Sequence, residues 1–333
     1  MIITRTPFRI SLFGGGTDHP IWFEKFGGRV VSLTIDKYCY ISTRVLPPFF
    51  EHKYRVAYSQ VETVRRVEDI QHPVVREAIR KYAPELRLEI HHDGDLPARS
   101  GIGSSSAFAV GMIHSLLALK GKGLSESELA KEAINLEREI LKENVGWQDQ
   151  IACAVGGINE IEFGPDNKWS LSPLRIDSRY LREFQSRMIL VFSGVQRSSS
   201  DVSVGLLKDL DKKAVQMTKL MNLSRECRKI LESEGDLDTI GEMLNDAWRL
   251  KKEVNPISSS IELDNLYERA MTAGALGGKV LGAGGGGFML FWVKKEGRES
   301  FLRNMGQIVE IPFSVCFQGS KVIYEDSSQM EMP

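Results

Sequence analysis

The chain has 333 residues, 42% of them hydrophobic and 26% charged, the proportions of an ordinary globular protein rather than a disordered or membrane-embedded one. That length predicts two hydrophobic cores. With 43 basic and 44 acidic residues the formal net charge is -1, so no overall field draws the chain to nucleic acid or anionic lipid.

The first residues, MIITRTPFRISLF, carry Arg5, Pro7 and Arg9 where a signal peptide needs an unbroken apolar stretch. No run reaches the roughly 18 apolar residues of a membrane span. Cys39, Cys153, Cys227 and Cys316 are scattered without redox or zinc spacing and read as free thiols. Together these features predict a cytoplasmic protein without nucleic-acid or membrane partners.

In chain order, β-branched and aromatic residues predict strands over 2–13 and 29–46, parted by the Gly14-Gly15-Gly16 break. Arg9 alternates with Phe8 and Ile10, so its side chain leaves the face that those two occupy. It is either a surface arginine or a cation placed to stabilise a transferring phosphoryl group. Asp18, after the glycines, is either a turn residue or a carboxylate for sugar hydroxyls. A helix is predicted over 74–82 and a half-buried strand in LRLEIHH.

The loop SGIGSSSA lies between that strand and a helix, predicted from 107 to 120, that is apolar on nearly every side. Glycines let backbone approach a ligand while the first helical amides point at it, which makes an anion cradle. No lysine follows in the GxxxxGK[ST] arrangement, so the cation must come from elsewhere. Ser104, Ser105 and Ser106 offer hydroxyls to phosphate or to magnesium. Taken alone, such a loop is more often a turn.

Ser125 and Glu128 have capping-box spacing, predicting a helix that runs to about Asn144. Ala130, Ile134, Glu137 and Leu141 share one face of it, which turns the Glu137 carboxylate inward, while Arg138 and Glu139 read as solvent-facing. An inward carboxylate needs a metal or a buried arginine. Asp149, in the loop VGWQDQ, is either a helix cap or a proton acceptor.

NEIEF and KWSLSPL predict a hairpin about Pro165, Asp166 and Asn167. A soft boundary near Glu183 divides the chain into domains 1–183 and 184–333. Beyond it come a buried strand in RMILVFSG, amphipathic helices over 204–231 and 237–254, and a further glycine loop in KVLGAGGGGFMLFWV. The class is α+β in two domains.

Three segments in this order, PFRISLFGGGTD, LPARSGIGSSSA and KVLGAGGGGF, with Glu137 and Asp149 between the second and third, resemble the superfamily of galactokinase, homoserine kinase, mevalonate kinase and phosphomevalonate kinase. The resemblance spans nearly the whole chain. It implies an amino-terminal domain like domain two of ribosomal protein S5, a ferredoxin-like carboxy-terminal domain, and ATP and magnesium as cofactors. By position, Ser100, Gly101, Ile102, Gly103, Ser104, Ser105 and Ser106 would wrap the ATP phosphates, and Ser105 and Glu137 would bind Mg2+. Asp149 would be the catalytic acid-base residue, with Arg9 the basic residue beside it. Gly15, Gly16, Thr17 and Asp18, with Gly284 and Gly285 of the third segment, would meet the acceptor, and the region 58–72 is assigned by position to adenine.

Galactokinases carry a Glu-His pair where this chain has Gly15 and Gly16, which disfavours galactose. PFRISLFGGGTD, IQHPVVREAI and the DQ of WQDQ are most similar to D-glycero-D-manno-heptose 7-phosphate kinases and, more distantly, to fucose kinases. The first group implies transfer from ATP to the anomeric hydroxyl of a sugar phosphate, giving a 1,7-bisphosphate for nucleotide-activated heptose and surface polysaccharide. A fucose kinase-like enzyme or a nonenzymatic sugar and ATP sensor are the rivals. A substrate that brings its own phosphate needs a second anion site, for which GVQRSSSD offers Arg197, equally readable as a solvated charge before a helix. A homodimer is left open.

Overall fold

The computed structural model describes residues 1–195 and 210–326. Strand β1 (Ile2–Phe13) is buried along most of its length. It lies between β12 (Lys321–Glu325) and β2 (Gly28–Val45), antiparallel to both. At 18 residues β2 is long enough to serve two further partners, pairing β6 (Ile158–Gly164) through its first half and β5 (Leu88–Gly94) through its second. β3 (Tyr54–Ala57) runs parallel to β5, with β4 (Val61–Val64) at the edge beyond it, and β6 continues into the hairpin strand β7 (Lys168–Pro173). The hairpin forms around Pro165, Asp166 and Asn167 as its turn residues predict, the last two with positive φ.

Helix α1 (Pro20–Phe26) follows the first glycine loop, and α2 (Pro73–Tyr82) starts on a proline whose missing N–H costs nothing there. α3 (Ser104–Leu119) packs on β1 and β2, burying Ala107, Phe108, Val110, Met112, Ile113 and Leu116. The loop that opens it is thereby fixed above the sheet.

The capping box of Ser125 and Glu128 starts α4 (Glu126–Ile134), which continues into a π-helical turn over Asn135–Ile140. The helix therefore stops short of Asn144: Leu141 N bonds back to Leu136 O, and Lys142 takes a positive φ of 58° that α-helix cannot continue. Arg138 is half-buried rather than solvent-facing, because its guanidinium turns back to donate to the Val145 carbonyl. Glu139 is exposed, as expected. α5 (Gln148–Val155) follows.

Helix α6 (Ser178–Arg187), which holds residue 183, leads into a second, four-stranded antiparallel sheet. Its order is β11 (Val309–Ile311), β8 (Met188–Phe192), β10 (Phe288–Val293), β9 (Ala275–Val280), with helices α7 (Ala214–Glu232), α8 (Leu237–Val254), α9 (Ile261–Ala273) and α10 (Arg298–Met305). Strand, helices, two strands, helix, strand in that sheet order is the ferredoxin-like pattern. The expected helix over 204–231 is observed from Ala214, and 204–209 lie outside the described residues. One core cluster runs through both halves, from Phe8 and Ile10 of β1 to Leu244 and Ala247 of α8 and Phe288 of β10. No helix among the described residues is long and apolar enough to cross a membrane.

Candidate active site

The glycine-serine loop is held against the third glycine loop. Phe288 N donates to Ser100 O at 3.0 Å, and Gly101, at φ +83°, comes so close to the Leu281 carbonyl that a Cβ would stand 2.6 Å from its oxygen. Ser100 is fully buried and donates to Pro97 O at 2.6 Å, and Ile102 is fully buried in the core. Of the seven loop residues predicted to meet phosphate, Gly101, Gly103, Ser104, Ser105 and Ser106 line the cleft, whereas Ser100 and Ile102 hold the loop from behind.

β1 carries Arg9 into the same cleft. Its Nε and Nη2 donate to the two carboxylate oxygens of Asp149, and Nη1 donates to Gly101 O. The Arg9 side chain is 4% exposed and that of Asp149 27%, so the pair is sheltered but open on the carboxylate side. Charge attraction and hydrogen bonding from Asp149 oppose the burial that would otherwise weaken the Arg9 cation, and its pKa stays above the ordinary value. Asp149 lies in the first turn of α5, where the helix dipole favours a carboxylate. Gln148 supports it, donating through Nε2 to Asp149 Oδ1 at 3.3 Å while its own Oε1 accepts from Ser11 at 2.9 Å.

Glu137 lies wholly out of solvent, just behind the loop. Ser105 Oγ donates to Oε1 at 2.9 Å, Ser106 Oγ to Oε2 at 2.8 Å, and Gln150 Nε2 also to Oε2. Burial pushes the carboxyl up to about 7, although these three donors pull the other way. The buried Arg that would have been its structural partner is not there: no ion pair to Glu137 is present among the described residues. Gln150 Oε1, beside it, is buried without a hydrogen-bond partner. A carboxylate, two hydroxyls and an unsatisfied amide oxygen are hard donors that suit a magnesium ion completed by substrate phosphates, although no cluster of three acid, His or Cys ligands occurs among the described residues.

On the acceptor side Gly15, Gly16 and Asp18 line the cleft. Asp18 is nearly buried, accepting from Gly16 N at 2.9 Å and Gln148 N at 3.3 Å, so it also ties the first glycine loop to the segment that carries Asp149. Thr17 does not reach the cleft: it is fully buried, with its hydroxyl shared between the Gly14 and Arg29 carbonyls. Gly284 and Gly285 pack on the backbone of Ser258, Gly285 N donating to Ser258 O at 2.7 Å, and the cleft is lined instead by Gly282 and Ala283 of that loop. Tyr58 meets His72 edge-to-face, and His72 in turn packs on Phe108 of α3, so the two do not line this cleft. Arg197 lies outside the described residues.

Several cleft residues escaped the sequence reading, among them His19, Lys251 and Lys279. His19 is buried with Nδ1 unpartnered, and burial pushes its pKa down. Lys251 follows Leu244, Ala247 and Trp248 at helical spacing, a pattern that marked it as lying on the apolar face of α8. Lys279 stands directly ahead of the third glycine loop, in the strand that leads into it. The absence of a lysine after the glycine-serine loop is the sequence signal that such cations come from elsewhere in the chain.

Comparison with known proteins is consistent with this arrangement. Residues 71–157 match the model of the GHMP kinases N terminal domain, and 224–309 that of the GHMP kinases C terminal domain. D-glycero-alpha-D-manno-heptose 7-phosphate kinase of Campylobacter jejuni subsp. jejuni is 32% identical over 88% of this chain and 89% of its own. Bifunctional fucokinase/GDP-fucose pyrophosphorylase of Arabidopsis thaliana is 26% identical over 89% of this chain but 30% of its own. Among solved structures, a D-glycero-D-manno-heptose 1-phosphate kinase from Bacteriodes thetaiotaomicron superposes with a TM-score of 0.81 over 98% of this chain and all of that one, and at 23% identity it speaks for the fold. A putative sugar kinase from Campylobacter jejuni gives 0.76 at 28% identity, covering 96% of this chain and 97% of its own. With both domain models in order, both sheets in the expected topology and a relative alike along most of its length, the chain belongs to the GHMP kinases and is an ATP-using phosphotransferase.

Proposed function

We propose that this kinase transfers the terminal phosphoryl group of ATP to the anomeric hydroxyl of D-glycero-D-manno-heptose 7-phosphate, giving the 1,7-bisphosphate. The observation that carries the reading is the position of Asp149: its carboxylate stands in a cleft walled on one side by the glycine-serine loop and on the other by the Gly15, Gly16 and Asp18 segment. The relative named for that reaction, alike over 88% of this chain, supplies the choice of sugar.

The residues divide the work by chemistry. The loop from Gly101 to Ser106 and the amides that open α3 receive the nucleotide phosphates. Asp149 takes the proton of the anomeric hydroxyl as its oxygen bonds to the γ-phosphorus and the bond to the leaving ADP oxygen breaks, in line. No covalent enzyme intermediate is required. Arg9 fixes both Asp149 oxygens and carries positive charge toward the transferring group. Ser105 and Glu137 would hold the magnesium ion, which neutralises charge on the phosphates when bound. Asp18 and the Gly15-Gly16 backbone meet the sugar.

Phosphorus NMR of the product formed from heptose 7-phosphate and Mg-ATP tests the proposal. A new anomeric phosphate resonance beside a retained 7-phosphate signal is the expected result. Absence of transfer, with brisk transfer to fucose or another sugar in an acceptor panel, would replace the substrate and keep the site.

A further inference from the structure

We infer that Lys251 and Lys279 are the anchor for the phosphate that the acceptor already carries, so that the cleft selects a phosphorylated sugar over the same sugar without its phosphate. The inference rests on the reading of the chain as a sugar phosphate kinase and assigns the second anion site that such a substrate requires. Both side chains line the cleft.

Lys279, 7% exposed, leaves β9 and crosses to the amino-terminal half, where its ammonium donates to Leu12 O at 2.9 Å. Lys251, on α8, donates to Val280 O at 2.9 Å and Gly282 O at 2.6 Å. The partners of both ammonium groups are therefore neutral carbonyls, and neither lysine has an ion pair among the described residues. Acids are not scarce nearby: Lys252, the next residue, pairs with Asp264 at 3.0 Å. The two carboxylates of the cleft are engaged elsewhere, Asp149 by Arg9 and Asp18 by backbone amides.

Two enclosed ammonium groups near a third cation, with no countercharge, are costly to keep ionised. Burial, reinforced by Arg9, pushes Lys279 down to about 7, and burial with the charge of Lys279 brings Lys251 well below its usual range. A phosphate dianion between them reverses that cost, restoring both charges and accepting from the donors left over by the carbonyls. The nucleotide's phosphates have their own cradle at the loop that opens α3. The lysines come from the opposite half of the chain, and Lys279 reaches Leu12, two residues ahead of the first glycine loop that bears Asp18. Lys279 thus stands toward the acceptor's end, while Lys251 holds Gly282 against Gly101 of the phosphate loop, and the acceptor's phosphate would lie between them.

The terminal phosphate of ATP is the other source of the same chemistry, and the experiment separates the two. Full-length wild type, Lys251→Met and Lys279→Met are assayed for ADP release with heptose 7-phosphate and with unphosphorylated heptose, each at varied ATP. Loss of one partner of a buried charge pair predicts that the preference for the phosphorylated acceptor, as a ratio of kcat/KM values, falls by about 30-fold or more, through KM for that acceptor. An unchanged ratio overturns the assignment, as does a rise in KM for ATP in place of the acceptor.

A second measurement does not depend on the identity of the sugar. With a nonhydrolysable ATP analogue filling the nucleotide site, inorganic phosphate should raise the melting temperature of the wild type, and either methionine variant should abolish the rise. Loss of that response without turnover of heptose 7-phosphate would keep the lysine site and discard the sugar. Turnover of heptose 7-phosphate with an unaltered phosphate response in the variants would keep the sugar and discard the lysines.

Discussion

Arg9 holds both carboxylate oxygens of Asp149, at 2.7 and 2.6 Å, and with its remaining terminal nitrogen reaches the Gly101 carbonyl at 2.6 Å. One guanidinium thus ties the proposed proton acceptor to the phosphate loop, so the distance between base and nucleotide is set by a single planar group.

Asp149→Asn keeps the shape and hydrogen-bonding reach of the side chain but removes its capacity to take a proton. Turnover should fall by about 100-fold to 10,000-fold, the usual contribution of a positioned base. Nucleotide affinity, measured by titration of an ATP analogue, should stay within a few-fold of wild type. Near-normal turnover would strip Asp149 of the role.

Arg9→Lys preserves the charge and loses the fork. A lysine ammonium cannot span both Asp149 oxygens and the Gly101 carbonyl, so kcat should drop by about 10-fold or more while KM for ATP rises. Steady-state kinetics check both. Arg9→Met, which leaves Asp149 without its cation, should lower kcat further and also lower the melting temperature, by less than a fully buried pair would because Asp149 is part-exposed.

Glu137 has a pH signature of its own. With its carboxyl raised to about 7 by burial from an ordinary 4.5, the folded state holds an extra proton between those values. Its favourable contribution is fully present below 4.5 and is lost as pH rises through 7. Glu137→Gln removes this dependence. Denaturant unfolding should therefore show the wild type losing, relative to the variant, up to about 3 kcal/mol between pH 4.5 and 8 in the absence of divalent cation. A flat difference would mean that the carboxyl titrates normally.

Gly287 joins the two glycine loops. At φ +83° its Cβ position lies 2.2 Å from Ser100 O, a distance no alanine can occupy. Gly287→Ala must drive the third loop away from the glycine-serine loop, costing about 2 kcal/mol or more of stability by combined backbone strain and overlap. Because Ser100 supports the loop from behind, KM for ATP should rise as well. Thermal melts and nucleotide titrations read the two effects.

What could be read from the chain follows local chemistry. The capping box at Ser125 and Glu128, the hairpin at Asp166 and Asn167, and the inward turn of Glu137 depend on neighbours a few residues away, and each is found as expected. Arg138 departs from expectation because a π turn, which no simple periodicity encodes, turns it toward Val145. Thr17, Ser100 and Ile102 lie inside motifs whose other members face the cleft, and only tertiary packing tells the lining residues from the supports. Lys251, though missed, carries a signal in its apolar-face spacing, whereas the reach of Lys279 to Leu12 joins residues 267 positions apart and leaves no trace in sequence.

The strand that covers the free flank of β1 is β12, contributed by residues 321–325. The stretch before it is stitched to the same half, with Cys316 N on Thr34 O and Ser320 N on Cys153 O. During synthesis, then, the first sheet stays unfinished until residues 321–325 have left the ribosome. A fragment cut at the midpoint would leave the Ile2–Arg5 edge of β1 unpaired, so the amino-terminal sheet depends on the carboxy-terminal half for its completion.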